Sequence, residues 1–113
     1  MKISSQFNRF LHGAVFNEMK KVDVLKVRLP NHAVYLPIKT LQHNMRIFKW
    51  WLKQLNLDYP RTDNGEPYST RTITTKQTMQ HIEWCIMVMG ENGLVFPFVA
   101  EEWERLKENY KGY

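Results

Sequence analysis

Residues 40–55, TLQHNMRIFKWWLKQL, are the stretch around which the rest of the chain reads as packed. At about 100° per residue, Leu41, Met45, Phe48, Leu52 and Leu55 fall on one stripe of a helix. Thr40 stands where an N-cap is needed, since its hydroxyl can accept from a free backbone N–H of the first turn. Trp50 points roughly 180° away from the stripe. Arg46 and Lys53 flank Trp50 one turn back and one turn on, Lys49 borders the same surface, and His43 lies a further turn back. Such a helix has two surfaces to satisfy. The aliphatic one meets the core, and the basic-aromatic one meets either more core or a partner.

The sequence on either side supplies the other elements. Ser4 and Ser5 are candidate caps for a first helix reaching about Lys20, with Phe7, Phe10, Leu11, Ala14, Val15 and Met19 on its apolar face. Gly13 weakens that helix slightly and leaves room for close packing. Residues 22–29 and 32–38 switch to a period of two, so they read as strands joined at Pro30 and Asn31. With a two-residue loop, Val27 faces Val34 and Leu25 faces Leu36 on the buried side, while Lys26 faces Tyr35 and Arg28 faces Ala33 outside. Pro37 cannot donate to a ladder, so pairing should end or lie at an edge there.

A long polar loop, about 56–74, follows the central helix. It holds the turn signature Asp63, Asn64, Gly65, and Tyr68 to Thr74 could add a short Thr-rich strand. Thr74 and Gln77 have capping-box spacing for a third helix, apolar around its second half, with Gly90 as its C-cap. Burial of Ile82, Cys85, Ile86 and Met89 is expected, either within the chain or in a homodimer through helix 76–89. Leu94, Val95 and Phe96 are a possible third strand ended by Pro97. In a last helix from Val99 to Tyr110, Val99, Trp103, Leu106 and Tyr110 should face inward, with Glu101 and Arg105 paired at i,i+4. The expected fold is a small single α+β domain spanning 1–113, about four helices packed on a short antiparallel hairpin.

Composition narrows the function classes. The net charge of +5 divides into +8 over residues 1–80 and −3 over residues 81–113. That asymmetry favours a polyanionic partner for the first part, although Lys and Arg also simply keep small domains in solution. One cysteine excludes an intramolecular disulfide, and its apolar setting points to a buried, inert thiol. No charged leader precedes an apolar run with a cleavage site, and no apolar run reaches the ~20 residues of a membrane span. The expected location is cytoplasmic, away from the membrane.

Chemistry-bearing patterns are sparse. His12, His32, His43 and His81 are scattered, so neither a metal nor another cofactor is expected. Asn31 and His32 on a hairpin followed by His43 and Asn44 on a helix are similar in order to a ββα-metal nuclease site, but two common dipeptides fit solvated surface residues better. Asp58, Asp63 and Glu66 read as a solvated loop rather than a metal site. No catalytic residue is assigned. The strand leading into a Gln/Asn-containing aromatic helix is similar, over a few residues and with different spacing, to small phage recombination mediators that bind single-stranded DNA. That likeness carries no residue roles across.

The basic-aromatic back of the central helix is the leading functional feature. Arg46 and Lys53, with Lys49 beside them, can pair with phosphates while Trp50 stacks on an unpaired base. Lys26, Arg28 and Tyr35 on the outer face of the hairpin repeat the mixture, and Arg61, Tyr68 and Arg71 in the loop can add to it. The competing reading packs Trp50 under the loop and leaves the cations as solubilising charge. Three function classes follow. The first is a small non-enzymatic nucleic-acid-binding protein. The second is an interaction protein, an inhibitor or adaptor acting on a host protein, of the kind phages and mobile elements encode; its aromatic and arginine content suits interface hot spots. An enzyme comes third, because no catalytic constellation is present.

Overall fold

Strands β1 (Val24–Arg28) and β2 (Ala33–Pro37) pair antiparallel in the register that the alternation requires: Leu25 opposite Leu36, Lys26 opposite Tyr35, Val27 opposite Val34 and Arg28 opposite Ala33. A one-residue slip would bury Lys26 and Arg28, so the apolar face fixes this pairing. Leu25, Val27 and Leu36 are buried, Val34 is half-buried, and Lys26, Arg28 and Tyr35 are exposed. The turn closes with Leu29 N–H donating to His32 C=O at 2.7 Å, and pairing ends at Pro37. The computed structural model describes residues 3–94 and 97–111, and within them this hairpin joins five helices in a small α+β fold.

Helix α1 runs over Ile3–Phe10, widens into a π segment over Leu11–Val15, and returns to α geometry over Phe16–Met19. Ser4 and Ser5 therefore lie inside the first turn rather than capping it. Phe7, Phe10, Leu11, Val15, Phe16 and Met19 are buried. Gly13 is exposed and nothing approaches the place of its missing Cβ, so it serves no close packing.

The expected helix over residues 40–55 is two helices. Helix α2 (Ile38–Leu41) stops, the chain turns through Gln42 and His43, and α3 (Met45–Leu55) starts afresh. Its N-cap is Asn44, not Thr40: Asn44 Oδ1 accepts from Ile47 N–H at 3.3 Å. An asparagine side chain competes with the backbone for such donors, which is why it interrupts a continuous apolar period. Phe48, Leu52 and Leu55 are buried as expected, and Leu41 and Met45 are half-buried.

Helix α4 (Thr75–Glu91), rather than α3, holds the centre; α1 and β1 both pack on it. Thr74 and Gln77 form the reciprocal capping box. At the other end the helix runs through Gly90. Gly93, with φ +72°, takes the left-handed position, and the last turn closes with Gly93 N–H on Gly90 C=O and Leu94 N–H on Met89 C=O, both at 3.1 Å. This is a Schellman ending. Ile82, Cys85, Val88 and Met89 are buried within the chain, Trp84 and Ile86 are half-buried, and Met87 is half exposed.

Asn92, the C-cap, donates from Nδ2 to Lys26 C=O and accepts at Oδ1 from Lys26 N–H, both at 2.8 Å. Its amide thus occupies the free edge of β1 as a strand residue would. Among the described residues the sheet has two strands; Val95 and Phe96 of the expected third strand lie outside them. Helix α5 (Pro97–Lys111) closes the core on α1. Trp103 stacks on Phe10 at 5.6 Å and meets Phe7 at 5.1 Å, and Tyr110 reaches Phe7 at 6.0 Å. Arg105 pairs with Glu102, one turn back at i,i+3, instead of with Glu101.

Candidate nucleic-acid interface

In residues 56–74 a small turn folds back onto α3. Gly65, at φ +85°, supplies the left-handed position of the turn announced by Asp63 and Asn64, and Thr62 N–H donates to Glu66 C=O at 2.8 Å. Arg61 and Pro67 form an isolated bridge, while the Thr-rich residues 70–73 make turns and not the expected strand. Two side chains pin the loop. Tyr59, buried, donates its hydroxyl proton to Tyr68 C=O at 2.6 Å. Arg61 directs Nη1 to Gln54 Oε1 at 2.6 Å and Nη2 to the carbonyls of Lys53 (2.9 Å), Gln54 (2.8 Å) and Asn56 (3.3 Å). These carbonyls end α3 without intrahelical partners and carry the negative end of its dipole, so a half-buried guanidinium there is a C-terminal cap.

The loop becomes one wall of a cleft whose other wall is α3. Arg46, Lys49, Trp50 and Lys53 line it from the helix and Pro67 and Ser69 from the loop, around an open volume of about 440 Å³. Positions i, i+3, i+4 and i+7 share one helix face, which is why these four converge. Trp50 is 38% exposed and meets Trp51 edge-on at 5.2 Å, so the fold leaves part of an indole surface free. Lys49 Nζ stands 5.9 Å from the centre of the Phe16 ring, and Lys53 Nζ stands 5.6 Å from that of Tyr59. Burial, and then the charge of Lys49, holds the Lys53 ammonium below its ordinary pKa. None of Arg46, Lys49, Lys53 and Arg71 forms an ion pair with a carboxylate among the described residues.

The remaining sequence candidates fall elsewhere. Lys26, Arg28 and Tyr35 do share the exposed face of the hairpin, beside the C-terminal end of α4, and Arg28 pairs with Glu91 at 3.6 Å. Arg61 is engaged with the end of α3 as described. Tyr68 is exposed between the two loop residues of the cleft wall, and Arg71 is exposed where the loop crosses α1. Asn31, His32, His43 and Asn44 are all on the surface, and no cluster of potential metal ligands occurs among the described residues.

Two histidines acquire roles that spacing does not reveal. His12, half-buried in the π segment of α1, lies ring to ring with Phe16 at 5.4 Å, against the same ring that Lys49 covers. Burial is the main cause of its lowered pKa, followed by the charges of Lys49, Lys53 and Arg71. His81, fully buried, accepts at Nδ1 from Asn56 Nδ2 at 3.0 Å. Asn56 Oδ1 is already occupied by Asp58 N–H, so the amide orientation is fixed and the ring proton sits on Nε2, 3.9 Å from Cys85 Sγ. Tyr59 and Trp84 cover the ring at 4.7 and 5.9 Å. Burial pushes the Cys85 thiol well up, which makes it unreactive.

No protein-family model, curated protein or solved structure matches the chain.

Proposed function

We propose that this protein is a non-enzymatic nucleic-acid-binding module that works through the α3–loop cleft. The observation that carries the reading is a part-exposed Trp50 set among Arg46, Lys49 and Lys53, none of which has a carboxylate partner among the described residues. Like charges gathered without counter-charge favour a polyanion, and an indole face offers a base something to stack on. The charge excess of the first eighty residues agrees with this. Binding of labelled single-stranded and duplex oligonucleotides over a series of salt concentrations is the test. Affinity should fall steeply with salt, and Arg46→Ala should lower the magnitude of the slope by about 0.7 on a single strand. Trp50→Ala should instead cost roughly 1–3 kcal/mol and leave the slope nearly unchanged. Thermal unfolding checks that the variant keeps its fold. Absence of binding to DNA and RNA at low salt refutes the proposal.

A second reading, docking to a host protein, draws on exposed Ile47, which lines a shallow hollow with Trp50, and on exposed Trp51, which meets Trp50 edge-on. Tryptophan and arginine together are frequent anchors of protein interfaces. Capture from the native host with and without nuclease separates the two: partners retained after nuclease favour docking, and partners lost with the nucleic acid favour the first reading.

A further inference from the structure

The cleft described above does not end at Lys53. Its two lysines also belong to a second grouping that only the fold creates. His12 comes from the π segment of α1, Lys49 and Lys53 from α3, and Arg71 from the loop that crosses α1. Arg71 stands between the other two parts: its backbone N–H donates to Ser69 Oγ at 3.2 Å, Ser69 lines the cleft with Lys49 and Lys53, and Arg71 itself lines a hollow with Asn8, one turn before His12 on α1. His12 and Lys49 share the Phe16 ring, at 5.4 and 5.9 Å, and Lys53 is held one helical turn further on, over Tyr59. The aromatic rings steady the cations without neutralising them. π segments interrupt helices at a cost in regularity and recur at functional sites.

Resting on the nucleic-acid reading, we propose that His12 and Arg71 complete a phosphate-holding subsite with Lys49 and Lys53, so that one strand lies with a base on Trp50 and a neighbouring backbone phosphate in this cluster. Lys49 lines the cleft and shares the Phe16 ring with His12, and Ser69 of the cleft wall is bonded to the Arg71 N–H, so the subsite adjoins the cleft. The groups acting on His12 from the elements around it are Lys49, Lys53 and Arg71, all cationic, and His81 behind them, buried and neutral; on its own helix it meets the Phe16 ring and a backbone group of Asn8. A bound phosphate supplies the opposite charge. It therefore favours the imidazolium, and the strand binds more tightly as His12 takes up a proton.

The test measures the affinity of the full chain for a labelled oligothymidylate between pH 8 and pH 6, with wild type, His12→Gln and Arg71→Ala. Each unit by which the phosphate raises the His12 pKa tightens binding by about tenfold once the pH is below both values. Wild type should therefore bind more tightly at pH 6, and His12→Gln should lose that component, including against the exposed His32 and His43, which both proteins retain. Arg71→Ala, at an exposed position, should lower the magnitude of the salt slope by about 0.7. If the oligonucleotide binds but His12→Gln keeps the wild-type pH dependence and Arg71→Ala keeps the wild-type slope, the subsite is overturned and the cleft reading stands. If wild type does not bind at low salt, both fall.

Discussion

Acidification from pH 7 to pH 5 should weaken the fold by about 2 kcal/mol through His81 alone. His81 is wholly buried, and burial lowers its pKa from 6.5 to about 3, with the charge of Lys53 and then His12 as smaller causes. The folded ring stays neutral because Asn56 donates to it and its remaining N–H faces Cys85 and apolar surface. Unfolding returns the ring to its ordinary value. Above pH 6.5 both states are neutral and His81 makes stability independent of pH. Below it the unfolded chain binds a proton that the folded chain refuses, so stability falls with pH until the folded ring also titrates near 3. The slope approaches about 1.4 kcal/mol per pH unit in that window. Urea unfolding of wild type and His81→Gln at pH 7, 6 and 5 reads this directly, since the glutamine does not titrate. The variant starts less stable but should lose about 2 kcal/mol less than wild type over those steps. His12, also lowered by burial, acts in the same direction and is common to both proteins. Parallel pH profiles refute the reasoning. So does an imidazole resonance of His81 that titrates near 6.5 in the intact protein, a measurement that stands even where the variant fails to fold.

Two further outcomes test the supports of the site. Arg61→Ala should cost about 2 kcal/mol in urea unfolding, the scale of hydrogen bonds made by a charged donor; Arg61→Lys should recover little of it, because an ammonium cannot span acceptors on Lys53, Gln54 and Asn56 together. Gly93→Ala should cost about 1–2 kcal/mol from the left-handed backbone alone, since a Cβ there meets nothing, whereas Gly90→Ala, in open space inside the helix, should stabilise by about 0.5–1 kcal/mol. Equal effects at the two glycines contradict the helix ending assigned here.

What the sequence disclosed is what local spacing determines. The hairpin register was legible because a period of two and a two-residue turn leave one pairing that buries Leu25, Val27 and Leu36, although the strands are shorter than the alternation and Val34 is only half-buried. The capping box of α4 was legible because both partners lie within one turn. The break between α2 and α3 was not, since Leu41, Met45 and Phe48 keep the helical period across it; a hydrogen bond from a single Asn44 side chain decides. Gly90 and Gly93 are equally good stop signals on paper. The helix passes the first and ends at the second because the Leu94 N–H reaches Met89 only from there.

The same division runs through the candidate site. Arg46, Lys49, Trp50 and Lys53 converge by helical spacing, so they could be grouped before any fold was known. His12 meets Lys49 across the Phe16 ring, and Arg71 is tied to Ser69 of the cleft wall; both lie far from α3 in sequence, and no local pattern announces either link. Arg61 shows the converse. Its type and setting match the other cations of the first eighty residues, yet the fold engages its guanidinium at the end of α3. In that place it holds the loop wall against which the cleft is formed, so its contribution to binding is through Pro67 and Ser69 rather than through its own charge. Arg61→Ala should therefore loosen oligonucleotide binding with little change in salt slope, unlike Arg46→Ala, which removes a free cation from the cleft itself. A slope reduced as much by Arg61→Ala as by Arg46→Ala would mean that the guanidinium leaves its carbonyls when a strand arrives.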